Sequence, residues 1–574
     1  MIIGFRQSKQ KKRCIFVKTQ EMKHSIDSLF AKWDRPGSPG AAVLVMKDGK
    51  IVHSKGYGYS NLEYDVPIAP DTVFHVASVS KQFTAMAVAI LAKEGRISLD
   101  DEVKKYIPEM PEFGHPITIR HLLHHVSGLR DQWELLTMAG WRMDDVITMG
   151  HLMKIITHQR ELNFEPGSRF LYSNSGYTLL AVIVQRVSGM SFPEYMQKTI
   201  FEPLGMNNSH IHYDHQLIVK NKAESYSPKQ GGMFRKSVLN YANFGATSLF
   251  TTVEDLAKWL TNYAHPKVGG PEVISQMKQG YTLTGGKKID YGFGIISKEY
   301  RKLKLIYHTG SDAGFRAYVG GFPEIDLGVV ILSNVSSFPR EPVAMKIADL
   351  FIDEEPNAHI RFPKPQPKKM KYLSCPGTYL VKSLGKLVEI NLTDKGLTVT
   401  MEGWDQPRLL VNTGQIERGE TLPQGEFLET DVFATEDREI LITFISQETK
   451  EDELMPSPYQ ILINTYGEEL GGLKVEVVDL KEEDLREYVG TYFSEELGTA
   501  YTLFVSQGHL IAGHRRHEDA ILIPSGKDQF HGKTGPLSRL DFVRDERGNI
   551  LGFKNTGNRA FNVSFHLKGA GFKE

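Results

Sequence analysis

A proline- and lysine-rich segment, "RFPKPQPKK" at residues 361–369, divides the 574-residue chain into two unlike parts. Before it, from Lys81 to about Trp259, apolar residues recur mainly at helical spacing. After it, short segments of alternating polar and apolar residues predict β-strands. Segments of this composition are extended spacers rather than parts of a packed core. We therefore predict an N-terminal domain with helices, a linker and a separable β-rich region.

The first part also contains strand patterns at both of its ends. Near the start, "AAVLVMKDGKIVHSKGYGYSN" places two apolar runs around Asp48-Gly49, a strong hairpin signal. Strand patterns return in "LKLIYHTG", "FRAYVGGF" and "LGVVILSN". A sheet assembled from both ends, with helices between, predicts an α/β domain that has an antiparallel sheet flanked by helices and an all-helical subdomain.

The β-rich part repeats itself weakly. "YLSCPGTYLV" at Tyr372 is echoed by "REYVGTYFSE" at Arg486, and each is followed by a strand, a glycine turn and another strand. This repetition predicts two similar all-β, barrel-like domains. The predicted boundaries are a tail at 1–21, the α/β domain at 22–350, the linker at 351–370 and the barrel-like domains at 371–475 and 476–574.

Composition narrows the possible functions. The formal net charge is -1, which provides no field to gather nucleic acid or an anionic membrane. No apolar run approaches the roughly 20 residues of a membrane span, and "CIFV" is too short for the core of a signal peptide. The two cysteines, Cys14 and Cys375, predict neither a disulfide framework nor a cysteine-built zinc site. We expect a cytoplasmic protein that acts on a small molecule or peptide; its oligomeric state stays open.

The pattern S-x-x-K can mark a serine nucleophile with a lysine partner. It occurs at Ser8/Lys11, Ser78/Lys81, Ser275/Lys278 and Ser383/Lys386. Only Ser78 stands at the start of a strongly apolar helix, where residues i and i+3 share a face. A partly desolvated lysine beside that hydroxyl could lose its proton and act as a base. A solvated lysine in a first helical turn is the alternative interpretation of the motif alone.

Further motifs follow "SVSK" in a fixed order: "ITIRHLLHHVSGLRDQ", "FEPGSRFLYSNSGYTLLAVIVQRVSG", "FEPLGM", "TTVEDLAKWL" and "YHTGSDAGF". Together they resemble the penicillin-recognising serine hydrolases, and most of all the class C β-lactamases, their esterase relatives and the D-aminopeptidases. The resemblance covers roughly residues 25 to 345. It implies the β-lactamase/transpeptidase-like fold, with the nucleophile and lysine on one helix, Tyr-x-Asn on a loop and a third box on a strand.

Carried over residue by residue, the resemblance implies Ser78 as the nucleophile and Lys81 as its partner. "YSN" offers Tyr172 as a shared acid and base and Asn174 as a contact for a substrate amide. Lys81 could act as a neutral base, or its charge could lower the pKa of Tyr172. Gln132 matches a glutamine that contacts substrate in the class C enzymes, although an ordinary loop glutamine fits equally well.

The third box departs from the β-lactamases, because it reads His308-Thr309-Gly310 instead of Lys-Thr-Gly. The resemblance implies that His308 lies beside the acyl group, that Thr309 and Gly310 contact substrate, and that the backbone N–H groups of Ser78 and Ser311 form the oxyanion hole. A literal "KTG" begins at Lys533, in the second β repeat, where a turn is the better interpretation.

Two alternatives of different class remain. "HIHYDH" gives His210, His212, Asp214 and His215 the spacing of metallo-β-lactamase-like zinc hydrolases, although its polar surroundings favour a solvated segment. The other alternative is a non-catalytic penicillin- or peptide-binding protein. Our prediction is an enzyme, a serine hydrolase that acts through an acyl-enzyme with no metal and no cofactor. D-amino amide, peptide, ester and β-lactam substrates all stay open.

Overall fold

The computed structural model describes residues 20–229, 232–352, 369–371, 374–402, 406–412, 426–428, 432–435, 440–445, 461–465 and 468–569. The predicted tail lies outside these residues except for its last two, which belong to a helix. The predicted linker lies outside them except at its two ends. The predicted domain boundaries therefore stay predictions.

The strands of the first part fall at both of its ends and in short pairs between them. The long ones are β1 (Ala41–Lys47), β2 (Lys50–Tyr57), β14 (Ile296–Tyr300), β15 (Leu303–Asp312), β16 (Phe315–Phe322) and β17 (Leu327–Ser333). The short ones are β3 (Tyr59–Asn61), β4 (Val66–Pro67), β5 (Phe74–His75), β6 (Ile147–Thr148), β7 (His210–Ile211), β8 (Tyr226–Pro228), β9 (Phe234–Lys236), β10 (Tyr241–Ala242), β11 (Leu249–Thr251), β12 (Tyr281–Thr282) and β13 (Lys288–Ile289).

The helices of this part lie between and after the strands. A first helix, α1, covers residues 20–30. The others are α2 (Ser80–Lys93), α3 (Ile119–Leu123), α4 (Gln132–Met138), α5 (Met149–Thr157), α6 (Asn174–Ser188), α7 (Phe192–Met196), α8 (Glu202–Leu204), α9 (Val253–Ala264), α10 (Gly270–Met277) and α11 (Arg340–Asp349). Short 3₁₀ turns cover Ala77–Val79, Val103–Lys105 and Pro323–Ile325, and a π-helical turn covers Gln197–Phe201. None of the helices among the described residues is long and apolar enough to cross a membrane.

The long strands form one antiparallel six-stranded sheet in the order β14-β15-β16-β17-β1-β2. Asp48 and Gly49 turn the β1–β2 hairpin with φ values of 50° and 69°, the left-handed backbone that this dipeptide favours. Successive β1 residues point to opposite faces of the sheet. Leu44 packs into the core shared with α2 and α9, whereas Val43 packs against α1 and α11. The predicted α/β domain with helices on its antiparallel sheet is confirmed.

The second part contains two closed eight-stranded barrels, which confirms the two predicted barrel-like units. Barrel 1 consists of β19 (Gly377–Val381), β20 (Lys386–Thr393), β21 (Gly396–Met401), β22 (Arg408–Asn412), β24 (Val432–Thr435), β25 (Ile440–Phe444), β26 (Ile461–Thr465) and β27 (Glu468–Val475). A separate pair is formed by β18 (Lys369–Lys371) and β23 (Glu426–Leu428).

Barrel 2 follows α12 (Glu482–Leu485) and a 3₁₀ turn at Arg486–Tyr488. Its strands are β28 (Gly490–Ser494), β29 (Thr499–Ser506), β30 (His509–His514), β31 (His517–Gly526), β32 (Gln529–Gly532), β33 (Arg539–Arg544), β34 (Ile550–Thr556) and β35 (Val563–Leu567). The sequence repeat is also a repeat of hydrogen bonds. The Tyr379 hydroxyl donates to the Cys375 carbonyl at 2.7 Å, and the Tyr492 hydroxyl donates to the Tyr488 carbonyl at 2.9 Å.

Barrel 2 packs directly on helices of the α/β part, including α4. Apolar side chains of both belong to one continuous core, whereas the core of barrel 1 is a separate cluster. The Tyr501 hydroxyl donates to the Met138 carbonyl at 3.0 Å, and the buried Arg130 donates to both carboxylate oxygens of Glu496 at 2.8 Å. This shared core argues against the expectation that the β-rich region as a whole is separable.

Candidate active site

Ser78 is held at the base of a cavity by the turn that precedes α2. Ala77 adopts φ = 48°, a left-handed backbone that is strained for a residue with a side chain. Ser80 fixes this turn, because its Oγ donates to the Ala77 carbonyl at 2.6 Å and accepts from the Leu249 N–H at 3.0 Å. Since α2 is buried along most of its length, the turn has a rigid base. The Ser78 side chain is thereby presented to a cavity of about 580 Å³.

Lys81 lies one turn further along α2 and is fully buried. Its Nζ lies 3.1 Å from Ser78 Oγ and donates to Asn174 Oδ1 and to the Ala246 carbonyl, both at 2.8 Å. Burial lowers the pKa of Lys81 to about 7, and the nearby Asp131 carboxylate opposes that shift. At neutral pH a large fraction of the lysine is therefore uncharged and able to accept a proton.

Tyr172 lies over the same lysine, with Lys81 Nζ 4.8 Å from the centre of its ring. Burial raises the pKa of Tyr172 above its ordinary value, so the phenol keeps its proton. Among the described residues its buried hydroxyl has no hydrogen-bond partner of normal geometry, although Ser78 is close enough to oppose the rise in its pKa. This hydroxyl is therefore a proton donor available to a bound substrate.

Asn174 links Lys81 to a carboxylate that the sequence motifs did not reveal. Its Nδ2 donates to Asp131 Oδ2 at 2.7 Å, and its backbone N–H donates to the same oxygen at 2.8 Å. Asp131 is fully buried and also caps α4 by accepting the Trp133 N–H at 3.0 Å. The amide of Asn174 is thus largely committed to positioning Lys81, and one N–H remains for a substrate.

His308 lies near Tyr172 and has no described hydrogen bond to Ser78 or Lys81. Its Nδ1–H donates to the Thr309 carbonyl at 2.6 Å, so Nε2 accepts from the Tyr291 hydroxyl at 3.0 Å. The centres of the His308 and Tyr172 rings are 6.3 Å apart. Burial, with the charge of Lys81 acting in the same direction, lowers the pKa of His308 to about 3. The third box therefore presents a neutral imidazole, held by a tyrosine, Tyr291, that no sequence motif indicated.

Of the remaining predicted residues, Ser311 lines the cavity, and Gly310, Thr309 and Gln132 are not in its described lining. Ser311 lines the cavity together with Ser78, as the predicted oxyanion hole requires. Gly310 lets β15 approach the turn that holds Ser78, because a Cβ there would lie 2.2 Å from the Val76 carbonyl oxygen. Thr309 and Gln132 are not in the described lining of the cavity, and Gln132 is buried at the start of α4.

The literal "KTG" and the "HIHYDH" motif both lie outside the described lining of the cavity. Lys533 of the literal "KTG" pairs with Glu402 of barrel 1 at 2.5 Å, outside the cavity. In "HIHYDH", the rings of His210 and His212 pack on Phe250, with centres 5.6 and 4.6 Å from it. Within the described chain no three histidine, cysteine or acidic side chains are arranged to hold a metal ion. The spacing of that motif does not bring His210, His212, Asp214 and His215 together around one point.

Barrel 2 contributes to the cavity, which no sequence motif predicted. The loop between β34 and β35 places Arg559 in the lining beside Ser78, Tyr172 and Asn174. Trp133 and Tyr241 form another part of the lining, stacked with ring centres 4.8 Å apart.

Comparison with known proteins finds relatives of this chain. A D-aminopeptidase from Gluconobacter oxydans (strain 621H) is 25% identical over 481 residues, which cover 83% of each chain. Protein flp from Staphylococcus aureus (strain NCTC 8325 / PS 47) is 28% identical over 330 residues, or 56% of this chain and 64% of flp. The match thus spans somewhat less than two thirds of that relative.

Similarity to solved structures extends into the barrels. The octameric penicillin-binding protein homologue from Pyrococcus abyssi has a TM-score of 0.54 and 24% identity, over 87% of this chain and 98% of its own. This similarity shows the fold. The family model described as Beta-lactamase matches residues 26–353, more than half of the chain and all of the α/β part that holds Ser78. The chain therefore belongs to the beta-lactamase family.

Proposed function

We propose that the protein is a serine hydrolase that cleaves an amide or ester through an acyl-enzyme on Ser78. The observation that carries the proposal is the contact between Ser78 Oγ and the buried Lys81 Nζ, 3.1 Å apart, where burial lowers the pKa of the lysine to about 7. A serine hydroxyl is a weak nucleophile until a neighbouring base takes its proton. Its distance from Ser78 and its lowered pKa support Lys81 as that base.

In the acylation step, neutral Lys81 accepts the Ser78 proton while Oγ attacks the substrate carbonyl carbon. The negative charge that develops on the carbonyl oxygen would be stabilised by the backbone N–H groups of Ser78 and Ser311. Asn174 accepts a hydrogen bond from Lys81 and donates one to Asp131, and these contacts would keep Lys81 beside Ser78 during the step. Of the two roles open for Lys81, the raised pKa of Tyr172 favours the neutral base over a tyrosinate.

The leaving group then needs a proton. Tyr172 keeps its own at neutral pH and has no other described partner, so it can donate to the departing nitrogen or oxygen. Lys81, which now carries the serine proton, can restore that of Tyr172. Water attacks the acyl-enzyme by the reverse sequence and releases the acid product.

The substrate class is supported by two observations. The relative that aligns over most of this chain carries the name D-aminopeptidase. His308 is neutral, so the third box lacks the fixed positive charge that a lysine would hold there. Both favour amides or esters over β-lactams that depend on a charged third box.

Substitution of Ser78 by alanine tests this function. We expect Ser78→Ala to abolish the hydrolysis of p-nitrophenyl esters and labelling by a fluorophosphonate. Ser275→Ala is the matched control, because Ser275 belongs to another S-x-x-K pattern but is exposed on α10, and this variant should keep both activities.

Each remaining outcome identifies an alternative. Labelling of the Ser78→Ala protein at the wild-type level would contradict the assignment of the nucleophile. Hydrolysis that disappears in EDTA would favour the zinc hydrolase, and labelling of the wild type without turnover would favour a binding protein. A screen of wild type with esters, D-amino acid amides and a chromogenic cephalosporin would identify the substrate class.

A further inference from the structure

The loop between β34 and β35 of barrel 2 is fixed against α4 by its backbone. The Arg559 N–H donates to Glu134 Oε2 at 2.8 Å, and the Arg559 carbonyl accepts from the Asp131 N–H and from Asn163 Nδ2, both at 3.0 Å. The loop continues with the Phe561 N–H donating to Asn163 Oδ1 at 2.8 Å. Gly557 permits this close approach, because a Cβ there would lie 2.7 Å from Glu134 Oε2. The backbone of Arg559 is thus held by hydrogen bonds to Asp131, Glu134 and Asn163.

The guanidinium of Arg559 is only partly engaged. In the described chain its ion pair joins Nη1 to Asp131 Oδ2 at 3.5 Å, and about a third of the side chain is exposed. That distance exceeds a normal N–H···O hydrogen bond of about 2.7–3.2 Å. The same Oδ2 already accepts two hydrogen bonds from Asn174. Because a guanidinium has five donors, most of those of Arg559 have no described acceptor, and the residue lines the cavity.

Four other charged side chains stand in the described lining of the cavity, and three of them have described partners. Lys236 pairs with Glu63 at 2.6 Å, and Asp144 lies 3.5 Å from Arg142. Asp312 accepts hydrogen bonds from Tyr241 and Thr247 and contacts His75. Arg235 also lines the cavity.

The charge of Arg559 is also permanent, unlike that of His308 and Lys81. The third box carries a neutral histidine, and Lys81 must lose its charge to act as a base. An arginine stays protonated throughout the physiological range and matches the geometry of a carboxylate with two parallel N–H donors.

We propose that Arg559 is a specificity residue, delivered to the active site by barrel 2, that binds a carboxylate of the substrate close to the scissile carbonyl. The preferred substrates would then be amides or esters that carry an anionic group. This inference rests on the proposed hydrolase function and adds the substrate class to it.

Paired chromogenic esters test the inference on the full chain. On the acyl side, mono-p-nitrophenyl glutarate is compared with p-nitrophenyl butyrate; on the leaving-group side, 3-carboxyphenyl acetate is compared with phenyl acetate. We expect wild type to prefer the anionic member of at least one pair, as the ratio of the two kcat/KM values. Arg559→Gln should lower that ratio at least 10-fold, and Arg559→Lys should restore part of it because the charge returns.

Arg516→Gln is the matched control. Arg516 lies in the same barrel and pairs across the same interface with Asp145 at 2.6 Å, but it is not in the described lining of the cavity, so its ratio should equal that of wild type. If Arg559 only neutralised Asp131, Arg559→Gln would slow both members of each pair equally, and that result would overturn the inference.

A wild-type enzyme that hydrolyses the neutral esters without anionic preference in either pair would also overturn it, while leaving the hydrolase intact. Hydrolysis of none of the four esters, with no fluorophosphonate labelling of Ser78, would contradict the proposed function and the inference together.

Discussion

At the scale of single residues, the active site depends on what burial does to ionisable groups. Lys81 is fully buried and its pKa falls to about 7, whereas burial raises the pKa of Tyr172. The same physical effect thus favours the uncharged form of both groups. The acid and base roles that we propose for them rest on the environment of each side chain.

The titration of Lys81 predicts the pH dependence of acylation. Below its pKa the lysine is protonated and cannot accept the Ser78 proton, so kcat/KM for a neutral ester should rise with pH and reach half its maximum near pH 7. The Asp131 carboxylate raises the pKa of Lys81, so Asp131→Asn should move the midpoint to lower pH. A profile that is flat between pH 5 and 9 would exclude Lys81 as the base.

At the scale of secondary-structure elements, the site depends on β15 lying against the turn before α2. The contact is between backbones, and it places Ser311 and Ser78 on the same cavity. Because the six-stranded sheet fixes β15 on both sides and α2 is buried, neither element can yield independently.

Gly310→Ala tests this close approach. The added Cβ would lie 2.2 Å from the Val76 carbonyl oxygen, so β15 or the nucleophile turn must shift. We expect kcat/KM for a p-nitrophenyl ester to fall by about 100-fold, because displacements of this size misalign reacting groups. Gly285→Ala is the control, since nothing lies within 4 Å of its Cβ position and activity should be retained. Full activity of Gly310→Ala would show that catalysis does not require this backbone contact.

At the scale of the whole molecule, barrel 2 and the α/β part share one apolar core. Arg130 and Glu496 form a buried ion pair between them, with exposed side-chain fractions of 1% and 5%. Burial raises the pKa of Glu496 even though Arg130 opposes that rise, so desolvation offsets much of the attraction. The intact pair therefore adds little to the free energy of unfolding, but removal of one partner leaves the other charge buried and unpaired.

Loss of one partner should be costly. Glu496→Ala leaves Arg130 buried without its bidentate partner, and we expect the free energy of unfolding to fall by about 3 kcal/mol. Lys533→Ala breaks the ion pair with the half-exposed Glu402 between the two barrels and should cost less than about 1 kcal/mol. Urea unfolding of both variants measures the difference, and equal stabilities would contradict the proposed dependence on barrel 2.

The shared core has a further consequence for truncation. A chain that ends near Phe351 would expose the apolar surface around Met138 that barrel 2 covers, so we expect it to be insoluble. A soluble fragment with a cooperative thermal transition would show instead that the α/β part folds alone.

The sequence by itself determined the features that depend on local patterns. The Asp48-Gly49 hairpin, the strands around His308, the buried helix after Ser78 and the paired barrels all follow from the spacing of apolar residues and turn residues over a few positions. The family resemblance carried by the S-x-x-K and Y-S-N motifs implied Ser78, Lys81 and Tyr172, and the structure places these three side chains together.

Only the tertiary structure decided which distant groups surround those residues. No sequence motif assigned a role to Asp131, Tyr291 or Arg559. Asp131 contacts Asn174 across 43 positions of the chain, Tyr291 contacts His308 across 17, and Arg559 contacts Glu134 across 425. The spacing in "HIHYDH" matched a zinc site, but spacing does not fix the direction of a side chain, and the structure does not bring these side chains together around one point. Desolvation depends on everything packed around a group, so the pKa of Lys81 and the neutral state of His308 became defined only when the sheet, the helices and barrel 2 were in place.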